Sequence, residues 1–440
     1  MAAALKPGET CAADIVDLSH DGRGVARIDG KAVFVAGALP GERVIVAIGK
    51  RRRRMDEARL VEIVSASADR VAPRCAHFGV CGGCSLQHLA PAAQLAAKQA
   101  QLLQDLERIG GVRPERVLAP VAGPSWAYRR RARLGVRFVH KKGRVLAGFR
   151  ERDQPYLADL RRCEVLAGGL ADLPAELAAL IDTLSIRERL PQVEVAVGDE
   201  AAALVFRVLE APPPQDLQKL EEFGRRRGLQ IHLQSGGIDS IRPLGAAPPP
   251  LRYLIDGFAV AIEFGPSDFI QVNGRINAAM VAAAAQHLQA EAGDSVLDLF
   301  CGLGNFTLAL AGRAARITGV DGDPQLVDRA RANAVLNGIG NATFHTDNLF
   351  APAGFGSWAA LRYDRLLLDP PRAGAREAVL QMAHWGPRRV VYISCHPASM
   401  ARDAGVLVAS QGYRLIAAGV MDMFAHTTHV ESIAVFERRA

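Results

Sequence analysis

The chain has 440 residues, 49% hydrophobic and 22% charged, with a formal net charge of +7. That length is too great for one ordinary core and implies two or three domains, and the composition excludes disordered and fibrous classes. No run of about 18 apolar residues occurs, so no transmembrane helix and no membrane partner are expected.

Residues 1–68 read as a small all-β unit. The runs CAADIVDLS, GVARIDG, KAVFVAG, ERVIVAIGK and EARLVEIVSAS are short and strand-like, and glycine and proline turns separate them. Five such strands predict a closed OB-like barrel, a common oligonucleotide platform. The N-terminal MAAALKPGETCAADIVDL lacks the basic and apolar regions of a secretory signal. Arg51 to Arg54 fall between the last two strands. Further arginine clusters stand at Arg129 to Arg133, Arg161–Arg162 and Arg225 to Arg227. One cluster alone is ordinarily a solvated face. Four clusters over several segments favour a polyanion partner, RNA or DNA.

Residues 69–265 read as a central α+β domain. It opens with CAHFGVCGGCS, which places Cys75, Cys81 and Cys84 within a few residues in a chain with seven cysteines. An odd, mostly scattered set argues against a disulfide framework and for a reducing compartment, so a cytoplasmic location is expected. The spacing lacks the paired CxxC knuckles usual for zinc, and Cys163 is a distant fourth thiol. From spacing alone, zinc and iron-sulfur remain equally open. PAAQLAAKQAQLLQDLERI, at 91–109, has helical periodicity and ends at Gly110–Gly111. Strands ARLGVRFVH, VLAGFRE, QVEVAVG, AALVFRVLE and LQIHLQ follow, with two helices among them.

From 266 to 440 strands and helices alternate, which implies a parallel sheet covered on both faces. Strands are expected at 295–300, 315–321, 342–347, 364–369 and 389–394, with two more in the last thirty or so residues. The first runs into the glycine turn of LDLFCGLGNF, and Asp321 ends the second, placed to hold a ribose. The third glycine of a dinucleotide fingerprint is missing, and the turn is nearer to that of S-adenosylmethionine-dependent methyltransferases. Asp369-Pro-Pro-Arg372 ends the fourth strand. Cys395 ends the fifth, before a helix whose N-terminus is expected to favour the thiolate. Cys301 is the competing thiol, and a small buried cysteine is its ordinary reading. Glu431 begins the last strand. A thiolate, a carboxylate and a methyl donor in one crevice suit methylation of uracil carbon 5 through addition at carbon 6.

These residues together resemble the RNA 5-methyluridine methyltransferases, in particular the type acting on 23S ribosomal RNA. The resemblance spans nearly the whole chain. It rests on the barrel, similar to a TRAM domain; CAHFGVCGGC with Cys163; LDLFCGLGNF; LLLDPPRAG; and YISCHPASMARD followed by DMFAHTTHVE. It implies a multidomain α/β protein: a TRAM-like OB β-barrel, a central α+β iron-sulfur domain and a C-terminal Rossmann-like class I methyltransferase. It implies Cys395 as nucleophile and Glu431 as base. Gln271, Phe300, Asn305, Asp321, Asn348 and Asp369 would line the S-adenosylmethionine site. Cys75, Cys81, Cys84 and Cys163 would hold a [4Fe-4S] cluster. The partner implied is 23S ribosomal RNA, a monomer is the default, and Phe269 is the candidate aromatic to pack on a flipped base. Three positions depart from the family pattern: His396 replaces asparagine, Ala425 proline and Asp321 glutamate. The rival readings are an amino-methyltransferase acting on adenine or guanine and a non-enzymatic iron-sulfur RNA-binding protein.

Overall fold

The computed structural model describes residues 6–351 and 355–439. Five strands, β1 (Thr10–Leu18), β2 (Arg23–Ile28), β3 (Lys31–Ala36), β4 (Arg43–Arg51) and β5 (Met55–Ser65), close into a barrel of order β1-β2-β3-β5-β4. Alternation of inward apolar residues supplies its own core of Ile15, Ala26, Val33, Val35, Val44 and Val46. Closure leaves the strands no open edge. Arg52 to Arg54 form the exposed turn from β4 to β5.

Helix α1 (Pro91–Arg108) and the short strand β6 (Arg116–Val117) come next. The central sheet follows: β7 (Arg131–Val139), β8 (Arg144–Gly148), β9 (Gln192–Val197), β10 (Ala202–Arg207), β11 (Leu229–Gln234) and β12 (Ile241–Pro243), in the order β12-β11-β10-β9-β7-β8. Helices α2 (Leu173–Asp182) and α3 (Pro214–Arg227) accompany it. The hairpin of β13 (Leu251–Ile255) and β14 (Val260–Phe264) has no counterpart in the sequence reading.

The remaining elements are α4 (Gly274–Leu288), β15 (Ser295–Leu299), α5 (Asn305–Ala311), β16 (Arg316–Asp321), α6 (Pro324–Leu336), β17 (Ala342–Thr346), β18 (Arg365–Leu368), α7 (Arg376–Val379), α8 (Met382–Trp385), β19 (Arg389–Ser394), α9 (Pro397–Ser410), β20 (Tyr413–Met421) and β21 (Glu431–Arg438). Their sheet has the order β17-β16-β15-β18-β19-β21-β20-β6. The first five strands are parallel, and β21 inserts antiparallel between β19 and β20. Strand order reverses between β15 and β18, so a ligand crevice opens at their carboxyl ends.

Two features tie the parts together. α1 and β6, expected within 69–265, pack with the C-terminal sheet: β6 pairs with β20, and α1 lies on α9. The apolar core of the central sheet also continues without a break into one face of the C-terminal sheet, through Ile276, Met280, Val296 and Ile317. The α1–α9 contact depends on glycine. A Cβ added at Gly405 would stand 2.7 Å from the Gly110 carbonyl oxygen. Backbone cannot yield as a side chain does, so Gly405→Ala is expected to cost about 1–3 kcal/mol in chemical denaturation.

Candidate active site and cysteine cavity

The glycine turn after β15 is shaped by backbone. Phe300 has a φ of 66°, unusual for a residue with a Cβ. The Phe300 and Cys301 N–H groups both donate to the Val320 carbonyl, at 2.8 and 3.0 Å, and so hold it there. Asp321, at the end of β16, accepts from Gly302 N–H at 2.9 Å and from Asp323 N–H at 2.9 Å. Burial still raises its pKa. Its carboxylate therefore braces the turn.

Other expected cofactor residues differ in availability. Gln271 donates from Nε2 to Asp369 Oδ2 at 3.3 Å, across the crevice. Asn348 is exposed at the end of β17, and its Oδ1 accepts from Phe350 N–H at 3.1 Å. The Asn305 amide is already engaged. Its Oδ1 accepts from Tyr253 Oη (3.0 Å) and Asn277 Nδ2 (2.9 Å), and its Nδ2 donates to Asn277 Oδ1 (2.9 Å). That side chain pins α5 to α4 and the β13–β14 hairpin. Asp298 lies within the same motif, and local sequence assigns it no role. It is fully buried, accepts from Thr307 Oγ1 at 2.5 Å and leaves Oδ1 with no partner; burial pushes it up to about 7. The available signal was a carboxylate inside an otherwise apolar buried strand, Val296-Leu-Asp-Leu299.

Cys395 and Glu431 are neighbours because β21 runs antiparallel to β19. Ser394 pairs with Ser432, so the next positions outward, 395 and 431, meet at the crevice. Asp369 joins them from the end of β18. Burial, then the Glu431 and Asp369 carboxyls, push the Cys395 thiol up to about 11, against the opposing pull of Arg372. This corrects the expected thiolate: at the end of β19, burial and two acids outweigh the helix terminus. Burial and Asp369 raise Glu431 well above the usual carboxylate range, and burial raises Asp369 to about 7. Cys301 is 3% exposed and its thiol is pushed far up, so it is sealed away. His396 caps α9, its Nδ1 accepting from Ser399 N–H at 3.3 Å. An imidazole nitrogen here does the capping work of an asparagine oxygen. Ala425 is buried, and its carbonyl accepts from Tyr128 Oη at 3.0 Å.

A cleft of about 840 Å³ leads to Cys395, lined by His20 and Phe34 of the barrel, Gln101 and Asp105 of α1, and Arg372 and His429. Phe269 lies two residues before Gln271 and is 69% exposed. The Arg129–Arg133 cluster, one of those expected to favour a polyanion partner, is largely paired within the protein, although Arg133 stays exposed. Arg130 pairs with Asp199 at 2.7 Å, and Arg131 and Arg133 with Glu194 at 3.1 and 2.9 Å. Glu194 stands opposite Arg133 on the paired strand β9, which the sequence did not disclose.

Cys75, Cys81, Cys84 and Cys163 line one cavity of about 360 Å³, with Arg129 and Arg162 on its wall. Gly83 N–H donates to Cys81 Sγ at 3.3 Å. Burial, with the neighbouring thiols adding, pushes Cys81 up to about 11 and Cys84 up to about 12. Among the described residues, no three of His, Cys, Asp or Glu are arranged to hold a single metal ion.

Comparison with known proteins agrees with this architecture. The tRNA (uracil-5-)-methyltransferase family model matches residues 92–348 and 357–439, and the TRAM domain model matches 4–61. The chain is 52% identical to the 23S rRNA (uracil(1939)-C(5))-methyltransferase RlmD of Alkalilimnicola ehrlichii, covering 99% of this chain and 98% of that one. It is 51% identical to the protein of the same name from Methylococcus capsulatus, covering 98% of each. The fold is shared with Pyrococcus abyssi tRNA (uracil-54, C5)-methyltransferase, solved with S-adenosyl-L-homocysteine, at a TM-score of 0.74 and 24% identity over 97% of this chain and all of that one. The chain belongs to the RNA (uracil-5-)-methyltransferase family, as an S-adenosylmethionine-dependent enzyme of the RlmD type.

Proposed function

We propose that the chain methylates carbon 5 of a uridine in 23S ribosomal RNA by covalent catalysis. The observation that carries this reading is the meeting of Cys395, Glu431 and Asp369 in one crevice at the switch point of the sheet. Cys395 adds to uracil carbon 6, which makes carbon 5 electron-rich. S-adenosylmethionine supplies the methyl group as a sulfonium electrophile. Glu431 takes the carbon 5 proton, the C5–C6 double bond re-forms and the thiolate leaves. Asp369, near its ionisation point at neutral pH, is placed to receive the proton that Cys395 gives up on addition. The partnerless Asp298 oxygen and the braced turn at Gly302 suit the donor's amino acid and ribose parts. Phe269 offers a ring for the flipped base.

The four converging thiols and the N–H on Cys81 fit a [4Fe-4S] cluster held by Cys75, Cys81, Cys84 and Cys163. Methyl transfer consumes no electron, so the cluster's contribution is to clamp the 75–84 loop to residue 163. After anaerobic reconstitution, about four irons per chain are expected, falling sharply in Cys163→Ser. A colourless protein that takes up zinc alone would overturn this ligand assignment.

The test of the reaction uses methyl-labelled S-adenosylmethionine with unmodified 23S and transfer RNA, followed by digestion to nucleosides. Labelled 5-methyluridine from 23S RNA is the expected product. Label on an adenine or guanine nitrogen would replace the reading with the amino-methyltransferase, and label in transfer RNA alone would replace 23S RNA as the substrate.

A further inference from the structure

Residues 422–430 are the loop of the β20–β21 hairpin, and the pair Met421–Glu431 closes its mouth. Glu431 is thus the last residue of the ladder, joined directly to this strap. Thr428 and His429 line both the cavity of the four cysteines and the cleft at Cys395. The strap is a wall shared by the two sites.

At its centre, His426 is 2% exposed and has a φ of 63°. That conformation is costly for a residue with a Cβ and persists only where the surroundings impose it. The cysteine segment does much of the imposing. Ser85 and Leu86 follow Cys84 directly, and both N–H groups donate to the His426 carbonyl, at 2.8 and 2.9 Å. Gln94 of α1 accepts from His426 N–H at 2.9 Å and donates to the Leu86 carbonyl at 3.0 Å. One side chain thus ties strap and cysteine segment together. The His426 ring stacks on Trp126, with centroids 3.9 Å apart. The Arg74 guanidinium, next to Cys75, lies over the same Trp126 at 5.2 Å and pairs at 3.3 Å with Glu164, next to Cys163. Before His426 in the strap, the buried Lys98 binds Asp422 at 2.8 Å, and Tyr128 holds Ala425.

We propose that His426 is a positioning residue for Glu431, and that the cysteine segment acts through it on removal of the carbon 5 proton and not on thiol addition. The inference rests on the roles given above to Cys395 and Glu431. Its physical basis is that the two groups hang from different supports. Cys395 is set by β19 and α9. Glu431 belongs to the terminal pair of the β20–β21 ladder and joins the strap, so a loosened strap frays that end and displaces the carboxylate while the thiol stays in place.

The test uses His426→Asn, because asparagine tolerates the left-handed backbone but has no ring to stack. Trp126→Leu is the second variant and leaves the strap's own residues intact. Turnover, protein–RNA adduct surviving denaturant on ordinary RNA, and adduct on 5-fluorouridine RNA are measured on the full chain. With fluorine at carbon 5 there is no proton to remove, so that adduct reports the steps before proton removal, thiol addition and methyl transfer. In both variants turnover is expected to fall about 10-fold, a part of the 10²–10⁴ that a general base contributes. Adduct on ordinary RNA is expected to accumulate, and the 5-fluorouridine adduct to form at the wild-type rate. A parallel fall in turnover and 5-fluorouridine trapping, or unchanged turnover in both variants, overturns the proposal. If wild-type protein itself forms no 5-fluorouridine adduct, the covalent reading fails, and this inference with it.

Discussion

Cys395→Ala is expected to lower methyl transfer by at least about 10⁴-fold and to abolish trapping on 5-fluorouridine RNA. Alanine keeps the packing at the end of β19 and removes only the sulfur. Cys301 cannot substitute, because it is sealed beneath the glycine turn. A related outcome concerns pH. The Cys395 thiol is pushed up to about 11, so in RNA-free protein its alkylation should be slow at pH 7 and rise about tenfold per pH unit toward that value. Rapid alkylation at neutral pH would mean that the two nearby carboxyls do not govern the thiol. Retention of methyl transfer by Cys395→Ala would remove the covalent mechanism and favour an amino-methyltransferase.

Glu431→Gln is expected to cut turnover by about 10²–10⁴-fold while leaving addition intact, so that enzyme–RNA adduct accumulates on ordinary RNA. The amide has nearly the shape of the acid but cannot accept the carbon 5 proton. The same substitution is expected to stabilise the protein above neutral pH. Glu431 holds its proton more tightly in the folded chain than in the unfolded one. Its contribution to stability is therefore intact below the ordinary carboxylate pKa, and is lost as pH rises from there through the folded value. Glutamine has no charge to bury, so the variant should melt higher than wild type at pH 8, with the difference closing near pH 4. Asp369 and Asp298, both raised to about 7, act in the same direction. The crevice is thus held at a cost in stability, as expected where buried acids serve a reaction. A Glu431→Gln protein less stable than wild type at pH 8 would show that the carboxylate has a partner that stabilises its charge.

Much of this was legible along the chain. The five barrel strands are legible as short strand-like runs set off by glycine and proline turns, each with one face on a small closed core. Helix α1 is readable from its 3.6-residue period and its glycine stop. The glycine turn, Asp369-Pro-Pro-Arg372 and Cys395 each sit at a strand's carboxyl end, where local sequence carries both the turn and the chemistry. The β13–β14 hairpin is not legible along the chain because its strands are short and lie beside proline-rich sequence.

What the sequence alone determined is the set of local structures and the chemical groups they carry, since both follow from side chains within a few residues of one another. What only the tertiary structure decided is which groups meet. Insertion of β21 beside β19 sets Glu431 against Cys395. Docking of α1 on elements far downstream makes one wall of the cleft. Pairing of β7 with β9 sets Arg131 and Arg133 against Glu194. Folding also brings Cys163 to the 75–84 loop and His426 to Ser85 and Leu86. Burial together then moves the ionisation of Cys395, Asp369 and Glu431, a long-range desolvation that no local pattern encodes.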